Sequence, residues 1–175
     1  MTESVAYDVV RRIGRIEVRK YPSVLLATVE GQDDDEAFGI LFQFISGGNV
    51  ARRKVAMTVP VVSKAPSSER MAMTAPVISG KRTFSFAMPS EYTARTVPKP
   101  VDDRIRMIEI PERTVAALSF SGRSTDDMAN RKAAELASVL KANGVRVKGE
   151  SFLMRYNSPF MPGFLRRNEV AVEIE

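Results

Sequence analysis

The chain has 175 residues, 44% of them hydrophobic, a formal net charge of +5 at pH 7, and neither cysteine nor histidine. Without cysteine there is no disulfide or thiolate metal site, and without histidine the commonest metal ligand and near-neutral general base is missing, so serine, cysteine and zinc hydrolases of the usual designs are excluded. The length fits one domain with a sizeable core, no apolar run reaches the roughly 18 residues of a membrane span, and the N-terminus lacks a signal pattern, so a soluble cytoplasmic protein is expected.

Cations occur in short groups such as Arg11-Arg12, Arg52-Arg53-Lys54 and Arg166-Arg167. No run of five or more exists, nor a helix-turn-helix or RNA-recognition signature, so nucleic-acid binding is not expected.

In chain order, residues 6–13 and 16–21 read as strands joined by a tight turn at Gly14-Arg15, and 23–30 as a third strand ending at Gly31. Asp33, Asp34 and Asp35 supply capping oxygens and early negative charge for a helix over about 35–46. Its apolar positions Ala37, Phe38, Leu41, Phe42 and Ile45 follow helical spacing, and Gly47-Gly48 stops it.

A repeat follows. KVAMTVPV at 54–61 returns sixteen residues later as RMAMTAPV at 70–77, with Ala, Met, Thr, Pro and Val at matching positions. Strand alternation puts Met57 with Val55, Val59 and Val61 on one face, and Met73 with Met71, Ala75 and Val77 on the corresponding face. A hairpin of the two copies is expected, with Pro60 and Pro76 at edges, bulges or ends because they lack an amide donor. Residues 83–88 alternate as a further strand, and 92–104, holding Pro98 and Pro100, reads as an extended linker.

Beyond it the layout starts again: strands at 106–110 and 113–121, Gly122 in the place of Gly31, a helix over about 126–142 with Ser124 and Asp127 as a near capping box, and strands at 145–156 and 169–174. The offset of 91 residues between Gly31 and Gly122 points to internal duplication, with halves of about 5–91 and 104–175 in one domain. The fold class expected is α+β, with a curved antiparallel sheet or distorted barrel and two main helices.

Two stretches carry a resemblance: the doubled AMT-x-PV segment followed by TFSFAMPSEY, and Tyr156-x-x-Pro159-x-x-Pro162 leading to Arg166-Arg167-Asn168-Glu169-Val170. Together they resemble the SOUL or haem-binding family, over nearly the whole chain from Tyr21 to Glu175. The resemblance implies a pseudo-twofold fold of two repeats flanked by two helices. It also implies kinship with gyrase-inhibitory-protein-like domains that hold amphipathic molecules in a groove between the halves. The implied ligand is haem or another tetrapyrrole, in an apolar cleft beside the first helix.

Such a ligand needs a flat apolar slot, cations for two propionates and an axial donor if iron is held tightly. Phe38, Phe42 and Ile45, with Met57, Met73 and the loop residues Phe160, Met161 and Phe164, are the candidate slot, and Arg53, Lys54 and Arg167 the candidate cations. The chain has no histidine, so Met, Tyr or Lys would have to serve as axial donor, with Met57, Met73 and Tyr156 the foremost candidates. Core filling is the competing reading for the methionines and the helix residues. Glu169 alternates with Val170, Val172 and Ile174, which points it to solvent; if the groove lies on that side, Glu169 and Tyr156 would suit a cationic ligand. Two further alternatives are hydrolysis by a carboxylate and a tyrosine, and a protein- or membrane-interaction module using loop 156–167.

Overall fold

The computed structural model describes residues 3–51, 68–157 and 160–175. The elements run β1 (Glu3–Ser4), β2 (Asp8–Ile13), β3 (Ile16–Tyr21), β4 (Val24–Glu30), α1 (Asp34–Ile45), β5 (Asn49–Val50), β6 (Thr74–Ser79) and β7 (Thr83–Ala87). They continue with β8 (Lys99–Pro100), β9 (Ile105–Ile110), β10 (Arg113–Ser121), α2 (Asp126–Ala142), β11 (Val147–Arg155), a 3-10 turn at Gly163–Leu165 and β12 (Arg167–Ile174). The first AMT-x-PV copy, with Arg53, Lys54 and Met57, and Pro159 of the second motif lie outside the described residues.

The alternating stretches become strands because one face of each can be buried. Ten of them form one sheet in the order β2-β3-β10-β12-β11-β6-β7-β4-β9, with β1 pairing parallel to β6 and every other pair antiparallel. Among the described residues β2 and β9 end this path, so the sheet is open and the barrel alternative does not hold. Both edges of β6 are taken, by β7 on one side and by β11 and β1 on the other. Pro76, with no donor to give, sits in the register break of β6 between Thr74 and Val77, one of the places expected for it. Gly14 turns β2 into β3 at φ +58°, a conformation that suits glycine.

The helices begin where short oxygen-bearing side chains satisfy a free amide. Asp33 accepts from the Glu36 N–H at 2.8 Å, and Asp34, Asp35 and Glu36 place negative charge on the first turn of α1. For α2 the cap is Thr125, which accepts from the Met128 N–H at 3.2 Å, one residue beyond the expected Ser124. The Ser124 hydroxyl instead accepts from Arg155 at 3.0 Å, so a long-range partner decided between two adjacent capping residues.

Register places both helices on the same face of the sheet. Arg155 stands opposite Val77 and Met154 opposite Ile78, so the Val77 face of β6 continues into the Leu153 face of β11. On this face Ala37, Leu41 and Phe44 of α1 pack with Ala27, Val29, Val77, Phe84 and Phe86. Further along, Leu136 and Leu140 of α2 pack with Val18, Leu118, Val170 and Val172. The other face is also closed: Tyr21, Val115, Ala117, Met154 and Ala171 are buried there, with Val5 and Tyr7 of the N-terminal segment against them.

The stretch expected as an extended linker is a packed connection. Tyr92 and Val97 are buried in the α1 cluster, and β8 pairs with β5. Its prolines hide the periodicity but do not prevent two isolated apolar side chains from reaching the core.

Candidate functional site

The side of α1 brings together three of the residues singled out in the sequence. Phe38 and Phe42, one turn apart, stack with ring centroids 5.9 Å apart and planes 12° from parallel. Phe38 is half-buried and meets Phe86 edge-on at 5.4 Å, while Phe42 is 50% exposed. Met73 packs partly buried against the same cluster.

Ile45 is a correction, because it is buried in the core and faces no open slot. The reason is that α1 lies directly on the sheet, with Ala37, Leu41 and Phe44 inaccessible, so no cleft separates helix from strands along these positions. The apolar surface that α1 offers is its outer shoulder, where the Phe42 ring lies.

The C-terminal end of α1 is bonded to the chain on either side of residues 52–67. The Asn49 amide donates to Phe44 O at 2.8 Å and to Glu69 O at 2.7 Å, and its carbonyl accepts from the Glu69 N–H at 2.9 Å. Met71 N–H donates to Ile45 O at 2.8 Å. Asn49 therefore ties the strand entering this stretch to the chain leaving it, a role that its place between Gly48 and Val50 did not reveal.

The second group lies on the opposite face. Glu169, expected toward solvent, is 0% exposed. Its Oε2 accepts from Arg19 at 2.6 Å and from Tyr156 at 2.9 Å. Its Oε1 accepts from Arg19 at 2.8 Å, Ser119 at 3.0 Å and Arg167 at 2.6 Å. Alternation did put Glu169 away from Val170, but this face is packed too. Burial by itself would raise the Glu169 pKa, yet the hydrogen bonds and charges of Arg19 and Arg167 outweigh it and hold the carboxyl at about 2.

The surrounding groups are set by that charge. Burial and the Glu169 carboxylate push the Tyr156 phenol above its ordinary range. Burial opposes the charge on Arg19, but its bonds to Glu169 keep it a firm cation. The Arg19 guanidinium lies 4.1 Å from the Tyr7 ring centroid, and that of Arg167 4.4 Å from the Tyr156 ring. Glu17 and Tyr21 contact Arg19 as well. Arg19, Ser119 and Tyr7 were not singled out in the sequence; the alternation of Glu17, Arg19 and Tyr21 on one side of β3 was the available signal.

With five donors on two oxygens, the carboxylate of Glu169 has no acceptor left for a cationic ligand. Tyr156, a neutral phenol bound to Glu169, is equally unsuited as a phenolate iron ligand. Beside this group Val5, Tyr21, Leu26, Ile78, Val115 and Phe152 line an apolar crevice of about 30 Å³, room for about one water and far below the roughly 300 Å³ of a small-molecule site.

Phe160, Met161 and Phe164 occupy a third place, the turn between β11 and β12. Phe160 and Phe164 are exposed there and Met161 is half-buried.

The sequence matches the profile of the family described as SOUL heme-binding protein over residues 2–173. Heme-binding protein 2 of Homo sapiens is 32% identical over 165 residues, covering 90% of this chain and 77% of that protein. Heme-binding protein 1 of Sus scrofa is 28% identical over 150 residues, covering 82% and 76%. Among solved structures, a hydrolase from Listeria innocua aligns with a TM-score of 0.59 at 12% identity, covering 95% of this chain and 94% of that one. The EcmrR C-terminal domain aligns with a TM-score of 0.56 at 13% identity, covering 97% and 98%. These two likenesses show a shared fold. The profile match and the relatives go further: the chain belongs to the SOUL haem-binding family.

Proposed function

We propose that this small ligand-binding protein takes haem or another tetrapyrrole on the outer shoulder of α1. The observation that carries the reading is the stacked pair Phe38–Phe42, whose outer ring is half exposed. A flat aromatic surface of this kind matches a macrocycle face. Phe42 and Phe38 receive the ring, Ile45 holds the helix beneath them, and Met73 borders the site. Arg53 and Lys54 pair with the propionates, and a thioether of Met73 or Met57 is the donor this chain has to offer in place of histidine. Iron chemistry, where it occurs, belongs to the bound haem. Tyr156, Arg167 and Glu169 support the opposite face of the sheet and make no contact with the ring in this reading.

Titration with ferric haem, followed by the Soret band, tests it. The band shifts with the unaltered protein, and Phe42→Ala weakens binding at least tenfold without changing the melting temperature. Metal-free protoporphyrin read by fluorescence separates ring stacking from iron ligation: Met73→Leu leaves porphyrin affinity unchanged and alters the haem spectrum. No Soret change at micromolar protein, or equal affinity for Phe42→Ala, would sink the proposal.

A further inference from the structure

The turn between β11 and β12 is unused by the proposed ligand site. Phe160 is 96% exposed, Phe164 76% and Leu165 58%, so three large apolar side chains within six residues face water. Isolated exposed apolar residues are ordinary, but a cluster at one turn calls for a partner.

The turn is well tied by hydrogen bonds. Leu165 N–H donates to Pro162 O at 2.9 Å, Arg166 N–H to Gly163 O at 3.1 Å, and the Arg166 guanidinium to Met161 O at 2.8 Å. Gly163 lies against Arg123, whose Cγ would be 3.2 Å from any Cβ placed there. Backbone and arginine bonds thus hold a shape that keeps the two phenylalanines and the leucine outward.

Charge and size indicate the partner. From residue 156 to 166 the sequence contains Arg166 and no carboxylate, and exposed Arg123 adds a second cation beside Gly163. A stable protein interface takes roughly 800 Å² from each partner, more than one six-residue turn supplies. A bilayer interface makes no such demand: single aromatic and aliphatic side chains enter the acyl boundary while neighbouring arginines meet anionic headgroups.

We propose that residues 160–165 dock the protein peripherally on an anionic lipid surface. Phe160, Phe164 and Leu165 enter the acyl boundary, and Arg123 and Arg166 lie at the phosphates. This docking is independent of the tetrapyrrole reading.

The test uses the full chain and vesicles of phosphatidylcholine with or without phosphatidylserine. Co-sedimentation occurs with the anionic vesicles, and the double variant Phe160→Ala with Phe164→Ala binds at least tenfold more weakly while melting at the same temperature. The chain has no tryptophan, so Phe164→Trp is a single reporter whose emission moves to the blue on the vesicles and is quenched by brominated lipid. The proposal is overturned if the protein stays in the supernatant, if the double variant binds as well as the parent, or if binding ignores phosphatidylserine. It is also overturned if the double variant instead breaks up a self-associated form that does not bind vesicles, because the turn is then a protein interface.

Discussion

Arg19 and Glu169 lie 150 positions apart in the chain and meet in two hydrogen bonds of 2.6 and 2.8 Å, with neither side chain reaching solvent. The pair joins β3 to β12 across β10, and Ser119 of β10 bonds the same carboxylate. Removing Glu169 leaves Arg19 with the partly exposed Glu17 as its remaining carboxylate partner. Glu169→Gln is therefore expected to cost about 3–5 kcal/mol, because the Arg19 charge stays buried, whereas Arg19→Met combined with Glu169→Leu recovers most of that loss. Urea denaturation of the two variants measures it; equal losses would show that the pair is not coupled.

The same carboxylate makes stability depend on acid. Its folded pKa of about 2 lies below the ordinary 4.5, so its contribution is fully present above pH 4.5 and disappears as pH falls toward 2. The loss is on the order of 3 kcal/mol across that window. Melting temperature followed against pH gives a slope there, and Glu169→Gln flattens it.

Thr74 has the opposite character. Its buried hydroxyl finds no hydrogen-bond partner among the described residues, although it lies in the repeated AMT-x-PV motif. Thr74→Val keeps the shape and removes the unpaired oxygen, so it is expected to be neutral or to stabilise by about 1 kcal/mol. A lower melting temperature would reveal a partner for that hydroxyl.

Asn49 is the converse case, a buried amide with three bonds to the chain on either side of residues 52–67. Asn49→Ala removes the bonds to the carbonyls of Phe44 and Glu69 and to the Glu69 N–H, at a cost of about 2–3 kcal/mol. Hydrogen exchange at Glu69 N–H accelerates more than exchange in α2. Equal acceleration everywhere would mean global destabilisation instead.

Much of this was legible from local chemistry. The helix expected over 126–142 is α2 with those bounds, because its apolar stripe, capping oxygens and terminal Asn143-Gly144 are all nearby in sequence. β7 at Thr83–Ala87 followed from alternation for the same reason. What escaped depends on distant chain. Whether the Glu169 side of β12 met water turned on Val5 and Tyr7 covering that face. Whether Ile45 lined a slot turned on how closely α1 approaches β4 and β7, which helical spacing does not encode. Tyr92 and Val97 entered the core singly, where no period marks them.

One pairing pattern governs how the chain can be taken apart. β3 is paired to β10 and β4 to β9, and only two residues separate β3 from β4 and β9 from β10. Each part of the chain on either side of residues 92–104 therefore completes a sheet begun by the other, and such long-range pairing delays folding until most of the chain is present. Proteolytic nicking at exposed Ala94 or Arg95 should release no folded fragment. The two pieces should remain associated on a sizing column until denatured, and should regain structure only when mixed.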